Sequence, residues 1–161
     1  CYSSQKESIK QQKFRKIMIK TGSKILIIQG DFYKDISELL LEGAVKKITE
    51  SGYEYDLLTV PGAFEIPAVI AMAKDSGKYE GYVALGCVIR GETSHYDYVC
   101  LESARGLNEL AMKEKLAIGY GILTVESKEQ AIQRADLNKG DKGGFVANAC
   151  IEMIKIKESF K

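Results

Sequence analysis

Two hydrophobic periods alternate along this chain. Residues 82–89 are apolar without a polar face and are bounded by glycines, which predicts a strand buried on both sides. Segments 24–29, 55–60 and 116–125 read the same way, the last interrupted by Gly119 and Gly121. Between them the period changes. Ile36, Leu39, Leu40, Ala44, Val45 and Ile48 recur at helical spacing, with Asp35 as a cap, Glu38 completing a box-like pattern and Gly52 as the stop. After the Pro61-Gly62 break, Ile66, Val69, Ile70 and Ala73 predict a second helix, in which Pro67 is tolerable only near the first turn. Thr93 or Ser94 caps a third helix, its apolar positions running from Tyr96 and Val99 through Cys100, Ser103, Ala104 and Leu107 to Leu110 and Ala111. Ser127 and Gln130 form a capping box for a short helix ending near Ala135. Residues 136–144, with Gly140, Gly143 and Gly144, read as a loop or helix break. A last helix then carries Val146, Ala149, Cys150, Met153 and Ile154 on one face.

Four buried strands separated by helices give an α/β fold: a three-layer sandwich whose four-stranded parallel sheet has helices on both faces. Residues 1–15 are polar and read as a mobile arm, 16–20 as a short strand, and 16–161 as a single domain. Ligands on such sheets gather at the carboxyl ends of the strands. Those ends are Asp31-Phe32, Gly62-Ala63-Phe64-Glu65, the stretch 88–95 and the segment after Val125.

At 161 residues the chain is long enough to bury a substantial core, and 23 basic against 22 acidic residues leave a net charge of +1. That balance argues against a nucleic-acid footprint or a polybasic membrane anchor. No apolar run approaches the roughly 20 residues that span a bilayer. The numbered sequence opens on Cys1, as a trimmed or processed form would. Its four cysteines lack C-x-x-C spacing, and Cys87, Cys100 and Cys150 read as reduced core residues of a cytoplasmic protein. With a single histidine, a metal site is not expected.

The rim carries the candidate chemistry. Phe32 either stacks on a planar ring or tucks over the next helix. Glu65 either favours a helix dipole or accepts hydrogen bonds from a polyol, and read alone the dipole is the simpler role. The turn Gly91-Glu92-Thr93-Ser94 leads a buried strand into a helix, leaving unpaired N–H groups suited to a phosphate. His95, beside that turn, suits proton transfer near neutral pH. Arg90 reads as one half of an ion pair. Cys100 lies five residues beyond His95, which is not a facing interval on a helix, and Cys87 is within a strand, so thiol catalysis is discounted. Arg134 and Lys142 either neutralise an anion or are ordinary solvated charges.

Three motifs, Val60-Pro61-Gly62-Ala63-Phe64-Glu65-Ile66-Pro67, Gly91-Glu92-Thr93-Ser94-His95-Tyr96-Asp97-Tyr98-Val99 and Gln130-Ala131-Ile132-Gln133-Arg134-Ala135, resemble the lumazine synthase family in order and spacing. The resemblance runs from about Lys24 to Phe160 and implies a flavodoxin-like sheet. It implies a cofactor-free transferase that condenses 5-amino-6-(D-ribitylamino)uracil with 3,4-dihydroxy-2-butanone 4-phosphate to 6,7-dimethyl-8-ribityllumazine. Phosphate and water are released, in the penultimate step of riboflavin biosynthesis. By the same resemblance Phe32 stacks on the pyrimidine, Ala63, Phe64 and Glu65 hold the ribityl chain, and Cys87, Val88 and Ile89 line the ring edge. The amides of Glu92 and Thr93 with Arg134 bind phosphate, His95 moves protons, and Lys142 lies near the pyrimidine. Tyr120 stands where the family places an aromatic that reaches into the neighbouring subunit. The implied assembly is a homopentamer or a multiple of it, with active sites at subunit boundaries and an N-terminal strand over 17–19 added to the neighbour's sheet. The chain departs from the family in carrying Phe145 where an acid is usual and Tyr33 where Asn is frequent. Its loop 136–141 is also unlike that of the shell-forming members. Phe145 motivates the alternative of a catalytically weak flavin- or lumazine-binding oligomer.

Overall fold

The apolar run over 82–89 is buried because its strand lies inside the sheet. In the computed structural model, which describes residues 23–161, that strand is β3 (Gly81–Ile89), and its first seven residues are buried. It pairs in parallel with β1 (Lys24–Gly30) and with β4 (Ile118–Val125), and β1 pairs in parallel with β2 (Glu54–Val60). The order β2-β1-β3-β4 is that of a four-stranded, all-parallel, flavodoxin-like sheet. The arm expected over 1–15 and the strand expected over 16–20 lie outside the described residues.

Five helices cover it: α1 (Lys34–Glu50), α2 (Ile66–Ala73), α3 (His95–Lys113), α4 (Lys128–Ala135) and α5 (Lys142–Ser159). Alternation along β1 divides the core in two. Ile25 and Ile27 join Ile36 and Leu40 of α1, Ala131 of α4 and Val146 and Ile151 of α5. Leu26 and Ile28 point the other way, onto Ile66 and Ile70 of α2 and Val99 and Leu107 of α3. All four β1 side chains are fully buried, each such burial being worth about 1.5–3 kcal/mol.

Four expectations need correction. Strand β2 is not buried: it is an edge strand, with Tyr55, Leu57 and Leu58 each more than a third exposed. Asp35 does not cap α1, which starts one residue earlier with no side-chain cap; its carboxylate pairs instead with Lys128 of α4 at 2.6 Å. Strand β4 begins at Ile118 rather than at 116. Residues 142–144 are helical, not loop. Asp141 takes a left-handed conformation (φ 45°) and accepts the Gly144 N–H at 3.1 Å, capping α5. A Cβ at Gly143 would run into the Leu40 carbonyl of α1, and one at Gly144 into the capping carboxylate of Asp141.

The Pro67 expectation holds, because Pro67 stands in the first turn of α2. Ser127 caps α4 by accepting the Gln130 N–H at 3.3 Å. The Gln130 side chain reaches back one residue beyond the cap, to the Glu126 N–H at 2.8 Å. Among the described residues, no helix is long and apolar enough to cross a membrane.

Candidate active site

The carboxyl end of β1 sets the site. A Cβ on Gly30 would lie 2.7 Å from the Gly62 carbonyl carbon, so only glycine lets the β1 and β2 rim loops touch. The loop after β2 then closes into a 3-10 turn over Ala63–Glu65, in front of α2. On the other side, β3 runs out at Ile89 and α3 begins at His95.

Between these elements lies a cavity of about 540 Å³, a size suited to small-molecule ligands. Phe32, Ala63, Phe64, Glu65, Cys87, Val88, Ile89, Thr93 and His95 all line it. Nine of the expected site residues, drawn from three separate rim segments, therefore share one wall.

Phe32 takes the exposed alternative: it is 76% exposed and meets Tyr33 edge-on, with centroids 5.0 Å apart. Glu65 is exposed at the mouth. In the turn that follows Arg90, among the described residues no backbone amide from 91 to 94 donates to a backbone carbonyl. Its internal bond is the His95 N–H to Thr93 Oγ1, at 3.3 Å. These four exposed residues lead into the start of a helix, a setting in which open amides suit an anion. The His95 ring is exposed, and among the described residues no carboxylate hydrogen-bonds it. Burial pushes the Cys87 thiol up to about 12, so it stays protonated and is no nucleophile.

Four expected residues do not line the cavity. Glu92 sits exposed in the turn between the lining residues Gly91 and Thr93. Tyr120 of β4 instead lines a second groove, of about 440 Å³, against Leu101, Ala104 and Leu107 of α3. Arg134 is exposed on α4, where its Nη1 donates to the Gln130 carbonyl at 3.0 Å. Lys142, at the start of α5, holds its Nζ 5.1 Å from the Phe145 ring centroid. Helices α4 and α5 pack on the sheet face opposite α2 and α3, and among the described residues no lysine or arginine lines the cavity.

The sequence reading missed Tyr33, Tyr96 and Tyr98 in the wall. Tyr98 and Val99 follow His95 by three and four residues, so the helical period placed them on its face. Tyr96 reads in the sequence only as the first apolar position of the helix. Burial first, and then the neighbouring Cys100, push its hydroxyl above the ordinary tyrosine value.

The profile of the 6,7-dimethyl-8-ribityllumazine synthase family matches residues 22–158. A 6,7-dimethyl-8-ribityllumazine synthase 1 of Rhizobium meliloti is 53% identical over 139 residues, covering 83% of this chain and 91% of its own. The synthase of Afipia carboxidovorans is 51% identical, covering 85% and 87%. That of Sphingopyxis alaskensis is 49% identical, covering 84% and 96%.

Proposed function

The chain belongs to the 6,7-dimethyl-8-ribityllumazine synthase family, and we infer that its rim cavity is where the family's condensation takes place. The enzyme is a transferase of riboflavin biosynthesis. It joins 5-amino-6-(D-ribitylamino)uracil to 3,4-dihydroxy-2-butanone 4-phosphate, and it releases phosphate and water as the lumazine ring closes.

One observation carries this reading: a single cavity unites a stacking aromatic, a carboxylate for a polyol and a histidine beside unpaired amides. In our account the pyrimidine lies on Phe32, with Cys87, Val88 and Ile89 along its edge. The ribityl hydroxyls meet the Ala63–Glu65 turn, with Phe64 as their apolar wall. The phosphate docks on the amides of Glu92 and Thr93. The substrate's amine attacks the ketone carbon, and loss of water gives an imine. His95 then carries a proton between carbon and solvent as the C–O bond to phosphate breaks; the enol left behind becomes a ketone, and the second amine adds to that carbonyl and expels a second water as the ring closes. The leaving group departs as an anion already held by N–H donors, so the same cradle that binds the substrate stabilises its departure.

The missing positive charge comes, on this reading, from a second copy of the chain. Arg134, Lys142 and Tyr120 reach the cavity of a neighbour in a homo-oligomer, for which we propose the pentamer or a multiple of it. Buried, protonated Cys87 and Cys150 suit a reducing, cytoplasmic setting.

The test is direct. Purified protein is mixed with both substrates while lumazine absorbance and phosphate release are followed. Both are expected to rise together, in equal amounts and well above the uncatalysed rate. Ligand binding without product would instead mark a binding protein. Sedimentation of the same sample reports the assembly, and a monomer would contradict the shared site.

A further inference from the structure

Arg90 is absent from the cavity wall, yet it grips both ends of the turn that forms part of it. Its backbone N–H donates to the Val125 carbonyl at 3.0 Å, extending the β3–β4 ladder by one step. Its Nε donates to Glu126 Oε2 at 3.0 Å, on the loop between β4 and α4. Its Nη1 donates to Asp97 Oδ1 at 3.2 Å, in the first turn of α3. The guanidinium carbon lies 4.2 Å from the ring centroid of Tyr96, which does line the cavity.

Within the turn itself little fixes the backbone. Residues 91–95 are all exposed, and a Cβ on Gly91 would meet nothing within 4 Å. With the amides of 91–94 kept open, the turn must be held from outside. Single surface ion pairs hold weakly. A planar guanidinium joined to two carboxylates and stacked on a ring is different, because its fork geometry fixes direction as well as distance.

We propose that Arg90 is a positioning residue for the reaction: clamped by Asp97 and Glu126 over Tyr96, it holds the 91–94 amides and His95 in register for the phosphate-bearing substrate. Its Nε and Nη1 donate to carboxylates and it does not line the cavity, so its part is to hold the turn rather than to contact the phosphate. The proposal rests on the reading that the turn cradles the substrate phosphate.

Arg90→Gln is the test, with Arg90→Lys as the conservative partner. Hydrogen exchange of the peptide over 90–96 is measured first, without substrate, and so reports on the clamp even in a protein that makes no product. The Gln variant is expected to exchange there about tenfold faster, while exchange in β1 and β3 is unchanged. With substrates, its KM for the butanone phosphate is expected to rise about tenfold and kcat to fall several-fold, while the pyrimidine KM stays within about twofold. The Lys variant should fall between Gln and the unmodified protein, because it keeps the charge and loses the fork. If Arg90→Gln does not fold, Asp97→Asn and Glu126→Gln carry the same measurements. Unchanged exchange over 90–96, or equal rises in both KM values, would overturn the proposal.

Discussion

The two faces of the sheet differ most where they reach the rim. At the start of α3 lies a cavity with aromatic and apolar walls, open amides and a histidine, but, among the described residues, no lysine or arginine. Over α4 and the start of α5 stand Arg134, which is exposed, and Lys142, which lies against the 68%-exposed ring of Phe145; neither borders that cavity. One face has shape without positive charge, and the other has charge without shape. A phosphate that must be bound and then expelled needs both. The difference supports the proposal that a single copy of this chain holds two unlike halves of a site, which association of copies would bring together.

The comparison is most sharply broken by His95→Ala. Positioned general acid–base groups contribute about 10²–10⁴-fold, so kcat should fall by that order while both KM values stay within about threefold. A large loss of affinity at unchanged kcat would contradict the role. Arg134→Ala acts on the other half. It should raise the KM for the butanone phosphate by about 10–100-fold, as loss of a charge-assisted contact would, and leave the pyrimidine KM nearly unchanged. Equal weakening of both substrates would remove Arg134 from the phosphate. Phe32→Ala should do the reverse, raising the pyrimidine KM by about three- to tenfold with little effect on the phosphate substrate.

The smallest effect concerns pH. Burial pushes both the Cys87 and Cys150 thiols up to about 12. A raised folded value means the native state favours the protonated thiol. That contribution is complete below the unfolded value near 9 and is lost as pH climbs from there toward 12. The melting temperature should therefore drop across that window, and Cys87→Ala should make the drop shallower. A pH-independent melting temperature between 9 and 11 would rule this out.

Much of this was legible in the residues. Strand β3 announced itself because a parallel strand buried on both faces has no polar side to interrupt its apolar run. The convergence of Phe32, Glu65 and His95 followed from strand ends alone, since a parallel sheet gathers those ends at one rim. What escaped had tertiary causes. Leu57 and Leu58 look as buried as Ile27 and Ile28 in sequence, but an edge position leaves β2 uncovered within one copy. Gly143 looks like a helix breaker, and the reason for it, the approach of the Leu40 carbonyl, lies a hundred residues away in the chain. Tyr96 reads in the sequence only as an apolar helix position, because period alone does not separate a cavity wall from a packed interior.

The claim that matters most is that a working site draws its cavity from one copy and its cations from another. His95→Ala and Arg134→Ala proteins, each nearly inactive at low phosphate-substrate concentration, are unfolded together in equal amounts, refolded and assayed. Random association of copies then gives about a quarter of the boundaries an intact His95 facing an intact Arg134, and the mixture is expected to recover about that share of normal activity. If instead the mixture stays as inactive as its parents, while unmodified protein taken through the same cycle recovers, the two halves belong to one copy and the account is wrong.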